Sequence, residues 1–173
     1  GLFMRLETRK IVTAGLLGAI AIILGSTSLG FIPLPTLAGR ATIMHIPAII
    51  AGIIEGPVVG LFVGLIFGIF SFIQANAFFS DPVVAIIPRA FIGVLAYLTY
   101  KTLAYKPWLA AGVAAVVGTL TNTIGVLSLA VIRGYLPSWA AAGGIILTHG
   151  IPETIVAVIL VTLVIKALKT FER

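Results

Sequence analysis

The stretch VVAIIPRAFIGVLAYLTY, residues 83–100, decides the fold. Its 18 residues form an apolar run with a single charge, Arg89. A helix needs about 20 mostly apolar residues to cross the hydrocarbon core of a bilayer, so the segment reads as a transmembrane span. A charge inside a span costs about 2.5–3.5 kcal/mol on insertion scales, and residues that carry this cost face a cavity, a partner or a ligand. His149 and Glu153 lie in a second such stretch, residues 140–168. These three side chains are the best pointers to function in the chain.

Composition agrees with a membrane protein. Of 173 residues, 60% are hydrophobic and 9% charged, and the mean hydropathy is +1.23. Soluble domains carry about 25% charged residues. The expectation is an all-α integral membrane protein, one domain over residues 1–173. With 0 cysteines, disulfides, thiol catalysis and zinc–thiolate sites are excluded. The net charge of +6 does not point to nucleic acid, because the basic residues stand singly between apolar spans.

Six crossings are expected: Ile11–Leu29, Ile43–Ile54, Pro57–Ile73, Val83–Tyr100, Trp108–Ile132 and Ala140–Leu168. Pro33, Pro35 and Gly39 break the loop Gly30–Arg40, and a polar loop, Gln74–Asp81, precedes the fourth span. The second span is short, and is read as a crossing covered by its neighbours rather than one arm of a re-entrant hairpin. With the N-terminus in the cytoplasm, Arg5, Arg9, Lys10, Lys101, Lys106, Lys166, Lys169 and Arg173 all fall inside, and only Arg40 and Arg133 fall outside. That bias places both termini in the cytoplasm; the family resemblance set out below implies the plasma membrane of a prokaryotic-type cell. Trp108 and Trp139 lie at span ends, where aromatic rings favour the interface.

In this orientation Arg89 is about two turns below the outer face, at 1.5 Å per residue. Glu153 lies four residues beyond His149, on the same helix face. Asn122, flanked by Thr121 and Thr123, is near the middle of the fifth span, and His45 is near the outer end of the second. The convergence in depth suits a pocket open to the outside. Two readings of Arg89 stay open: an internal ion pair with Glu153, or a donor to a ligand anion. Pro88 and Pro152 precede the two charges, and kinks there favour a cavity over a tight seam.

Gly60, Gly64 and Gly68 recur at helical spacing and are read as internal packing. Ala14, Gly15, Gly18 and Ala19 form overlapping small-residue pairs near the start of the first span, a place to dock another membrane subunit. Catalytic signatures are missing: no GxxxxGK[ST], HExxH or GxSxG occurs. His149 and Glu153 lack a third candidate ligand, so neither a metal nor a cofactor is expected. The chain is read as non-catalytic.

Three local patterns remain. Thr8-Arg9-Lys10-Ile11 leads into Ala14–Ala19. Met44-His45-Ile46-Pro47 is followed by Glu55-Gly56-Pro57 and the glycine run to Ser71-Phe72. The third is Pro88-Arg89-Ala90-Phe91-Ile92-Gly93. With six spans and this size, they make the chain resemble the substrate-binding S components of energy-coupling factor (ECF) vitamin transporters, in the pantothenate-type branch. The resemblance implies a subunit that binds a vitamin from outside and associates with a membrane coupling subunit and two cytoplasmic ATPases, whose ATP hydrolysis topples it. It makes Ala14, Gly15, Gly18 and Ala19 the docking set and the loops Gly30–Ala41 and Gln74–Asp81 a lid. Gln74 and Asn76 thereby join His45, Arg89, Asn122, His149 and Glu153 as candidate substrate contacts. A guanidinium favours a carboxylate or phosphate, while Asn122, His149 and Glu153 suit hydroxyls or an amide. Pantothenate fits that set. Pyridoxine or pyridoxamine is the rival, with Glu153 on an amine and Phe78 or Phe79 stacked on the ring. A self-sufficient secondary transporter is the alternative of another class, but the chain shows no internal repeat.

Overall fold

The computed structural model describes residues 2–33, 40–75 and 77–171. It is a helical bundle: α1 (Leu2–Ser26), α2 (Ile46–Glu55), α3 (Pro57–Gln74), α4 (Pro82–Thr102), α5 (Pro107–Ile132) and α6 (Trp139–Phe171). Prolines occupy the first turns of α2 to α5, where a missing amide leaves no helical bond unmade. Among the described residues, five helices are long and apolar enough to span a membrane, and α2 is a shorter apolar helix.

Two boundaries differ from the sequence expectation. The charged run before the first span is helical, so α1 starts at Leu2 and ends at Ser26, followed by a 3₁₀ turn, Ser28–Gly30. The loop expected at Gly30–Arg40 is framed by paired strands: β1 (Phe31–Pro33) runs antiparallel to β2 (Arg40–Thr42), with Phe31 opposite Thr42. This pairing satisfies backbone groups that a free loop would leave to solvent. The hairpin sits at one end of the bundle, with the C-terminal ends of α1, α3 and α5 and the N-terminal ends of α2, α4 and α6. Three contacts fix that grouping: Gln74 to Gly25, Asp81 to Arg133, and Thr42 to Glu153.

The ten residues of α2 rise only about 15 Å, half the hydrocarbon thickness. It does not face lipid. Ile46 to Gly52 are all buried, packed against α1, α3, α4, α5 and α6. Ile49, Val63, Phe67, Ile92 and Val161 complete the core around it. The outer helices follow the rule for a lipid-facing helix, with one face in and one out. On α6, Ala142, His149, Glu153, Ala157, Val161 and Ile165 point inward, while Leu147, Ile151, Ile155, Ile159 and Leu163 are exposed.

Lipid removes most of the hydrophobic drive between helices, so close backbone approach has to hold the bundle. The seam of α3 and α4 does this with glycine. A Cβ on Gly64 would strike the Arg89 carbonyl, and one on Gly68 would lie 2.8 Å from the Cα of Ile86. Gly60 faces Gly93, where a Cβ on Gly93 would lie 2.6 Å from the Gly60 Cα. The expected packing role of Gly60, Gly64 and Gly68 is therefore the one they play, and Gly64 lets α3 approach the α4 backbone at Arg89.

Candidate functional site

One face of α5 organises the polar core. Thr119, Asn122 and Thr123 are buried and spaced by three and four residues, so they share that face. Each meets one ionisable side chain from a different helix or helix end. His45 Nε2 lies 2.9 Å from Thr119 Oγ1. Arg89 Nε donates to Asn122 Oδ1 at 2.7 Å. Thr123 Oγ1 donates to Glu153 Oε2 at 3.3 Å.

Arg89 is 4% exposed. Its Nη1 donates to the Ala85 carbonyl at 2.8 Å, on the turn that Pro88 loosens by lacking an amide. The guanidinium carbon lies over two aromatic rings, with Cζ 4.4 Å from the Phe67 centroid and 4.5 Å from that of Phe79. Such stacking attracts a cation to the ring face. Phe79 belongs to a 3₁₀ turn, Ala77–Ser80, between α3 and α4, and packs edge-on to Phe78 with centroids 4.9 Å apart. A guanidinium has five N–H donors in its plane. Two are spent on Asn122 and Ala85. The rest remain beside the Phe67 and Phe79 rings, and paired N–H groups of a guanidinium suit the fork of a carboxylate.

Glu153 takes no direct ion pair from Arg89 and meets other groups instead. Its Oε1 accepts the Thr42 amide at 3.1 Å, which ties α6 to the end of β2. Arg89 and Glu153 thus bond neighbouring residues of α5, Asn122 and Thr123, rather than each other. His149 is buried one turn before Glu153. Gly150 beside it packs on Thr123, where a Cβ would lie 3.6 Å from Thr123 Cγ2.

The other candidates fall elsewhere. Gln74 Nε2 donates to the Gly25 carbonyl at 3.2 Å, fastening the end of α3 to the end of α1 rather than joining Arg89. Asn76 lies outside the described residues. Thr121 turns to its own backbone, donating to the Val117 carbonyl at 2.7 Å. His45 is fully buried, and among the described residues its Nδ1 is the sealed polar atom without a partner. The sequence reading missed Phe67, Thr119 and the Thr42 amide. Phe79, which with Phe78 was a candidate to stack on the rival ring vitamin, lies against Arg89. The spacing Thr119-Asn122-Thr123 was the signal available for the shared face.

On α1 the four small residues divide. Gly15 has open space where a Cβ would be, and Ala19 is exposed. Gly18 is buried, with an added Cβ 2.6 Å from Ile66 Cδ1, because α1 leans on α3 there. Ala14 is half-buried. Gly15 and Ala19 lie on a surface with exposed Ile11, Val12, Leu16, Ile22 and Ile23, whereas Gly18 faces inward.

The family described as ECF transporter, substrate-specific component, matches residues 9–165. The chain belongs to this family of ECF substrate-specific components. A relative, the pantothenic acid transporter PanT of Lactococcus lactis subsp. cremoris (strain MG1363), is 35% identical over 154 residues, covering 75% of this chain and 78% of its own. The solved S component of a bacterial ECF transporter shares the fold: TM-score 0.72 at 22% identity, over 96% of this chain and 99% of that chain. This substrate-specific component is therefore a membrane-embedded transporter subunit, and its polar core lies within the bundle.

Proposed function

We propose that the protein is the pantothenate-binding subunit of an ECF-type uptake transporter. The observation that carries this reading is the Arg89 guanidinium, held against Phe67 and Phe79 beside Asn122, with the Glu153 carboxylate on the next contact of α5. Pantothenate has a carboxylate at one end, and an amide and two hydroxyls toward the other. Its carboxylate takes the free N–H groups of Arg89. Its hydroxyls donate to Glu153 and meet His149. Asn122 holds Arg89 in place and offers its amide group to the ligand. The likeness to PanT supports the same choice. A ring vitamin is the weaker match, since Phe79, one of its two candidate stacking partners, already lies against Arg89.

The proposal includes the assembly. Both termini are cytoplasmic, and the hairpin end of the bundle opens outward. A membrane coupling subunit packs on the α1 surface around Gly15 and Ala19, where small side chains let another helix approach. ATP is hydrolysed by two cytoplasmic ATPases, because this sequence has no phosphate loop. Reconstitution tests the division of labour. Liposomes holding this protein with the coupling subunit and ATPases should take up labelled pantothenate only with internal ATP. Uptake by this protein alone would make it a secondary transporter and defeat the proposal.

A further inference from the structure

A second polar knot lies at the hairpin end, apart from the α5 contacts. Asp81 precedes α4, and its side chain is 3% exposed. Its Oδ1 accepts the Val83 amide at 3.0 Å, capping the helix. Its Oδ2 accepts Arg133 Nε at 2.7 Å and Tyr135 Oη at 2.8 Å. Both donors come from the end of α5, which is closed by a Schellman motif. The Tyr135 amide donates to the Ala130 carbonyl at 2.8 Å and the Gly134 amide to the Val131 carbonyl at 3.1 Å. Gly134 makes this possible with φ of +84°, a conformation that strains other residues. Arg133 and Tyr135, on either side of it, are thereby aimed at one oxygen. Two helix ends are built to meet.

Phe79 lies two residues before Asp81, on the same connection. We propose that Asp81, Arg133 and Tyr135 form a latch that holds Phe79 over Arg89 and so sets how long the vitamin stays bound. This rests on the reading of the Arg89 site given above. None of the three touches Arg89 or a ligand, so they are positioning residues. Asp81 stays anchored as the cap of α4, while Arg133 is 47% and Tyr135 45% exposed. The latch therefore opens from the water side, by release of the two donors. Opening frees the connection that carries Phe79 and uncovers one face of the guanidinium. Closing removes that face from water and strengthens the ionic contact beneath it.

The test measures dissociation of tritiated pantothenate from the full-length protein in detergent, chased with unlabelled vitamin. Arg133→Gln and Tyr135→Phe each remove one donor without touching the helix cap. Asp81→Asn keeps an oxygen for the Val83 amide and removes the charge. Loss of a charge-assisted bond predicts dissociation about tenfold faster in Arg133→Gln and Asp81→Asn, and a smaller rise in Tyr135→Phe. Melting of ligand-free Tyr135→Phe, which keeps the Arg133–Asp81 ion pair, should move little, and Arg133→Lys should recover part of the wild-type rate. Dissociation within about twofold of wild type in all three variants, against the tenfold of a lost bond, overturns the latch. If the wild type binds no pantothenate, the reading of the site fails, and amide exchange decides the latch separately. Arg133→Gln should then speed exchange across 77–83 while leaving α3 protected. Unchanged exchange there overturns it.

Discussion

The sharpest consequence of the Arg89 geometry is a matched pair of deletions, one on the protein and one on the ligand. Arg89→Ala removes the guanidinium from between Phe67 and Phe79 and leaves Asn122 Oδ1 without its 2.7 Å donor. Replacing the carboxylate of pantothenate with a hydroxymethyl group, as in its alcohol analogue, removes the other half of the same contact. A hydrogen bond to a charged group is worth about 1.5–3 kcal/mol, and a bidentate fork makes two. The contact is then worth about 3–6 kcal/mol, or roughly 10²–10⁴ in Kd. Wild-type protein should prefer pantothenate to the alcohol by about that factor, and Arg89→Ala should lose most of the preference, binding both weakly. Isothermal titration of both ligands against both proteins gives the coupling directly. Arg89→Gln, which keeps a donor for Asn122, covers the case in which the alanine variant unfolds. If Arg89→Ala still prefers pantothenate by the wild-type factor, the carboxylate does not bind at Arg89.

Gly64→Ala should separate α3 from α4 at Arg89, because its Cβ meets the Arg89 carbonyl. Thermal unfolding should show a loss of about 1–3 kcal/mol with weaker pantothenate binding, and a variant as stable and as tight as wild type would refute the packing argument. Gly15→Leu should leave melting and vitamin binding intact but prevent copurification with the coupling subunit. Gly18→Leu should instead destabilise the fold against Ile66, so equal melting of the two variants would contradict the division of α1. Glu153→Ala removes the acceptor of the Thr42 amide and the Thr123 hydroxyl; binding should weaken by about tenfold or more, and unaltered titration would remove Glu153 from the site. The hydrogen bond from Arg133 holds the Asp81 carboxyl below the usual carboxylate range, against the opposing effect of burial and with help from Tyr135 and the Val83 amide. A depressed value in the folded state stabilises above the unfolded value of about 3.9 and is lost as pH falls through the folded one. The melting difference between wild type and Asp81→Asn should therefore be flat from about pH 8 to 5 and shrink only below about 4. A difference that shrinks above pH 5 would contradict the assignment.

Arg89, Glu153, His149 and Asn122 were legible because a polar group in an apolar run is costly, and position along a helix gives its depth. The helices themselves were legible for the same reason of apolar length. Rotation about each helix axis was not. Arg89 and Glu153 lie at compatible depths, yet they meet different residues of α5, because that helix presents Asn122 to one and Thr123 to the other. Thr119 and Thr121 look alike in sequence, but one faces His45 and the other bonds its own backbone. Gly15 and Gly18 are three residues apart on one small-residue run, and only the lean of α1 on α3 separates them. The role of Phe79 depends on how a connection folds back over α4, which no periodicity encodes. The burial of α2 was partly legible from its length, since a helix of about 15 Å cannot hold its place in lipid without neighbours.

Pantothenate held at the Arg89 site is the point on which the rest depends. Its most direct test is the small molecule that accompanies the protein when it is purified from its own membranes, extracted and identified by mass spectrometry, followed by rebinding after removal. Pantothenate should be released from wild type and missing from Arg89→Ala, with saturable rebinding to the emptied wild-type protein. A well-folded protein that carries a different vitamin, or that neither carries nor rebinds pantothenate, would contradict it.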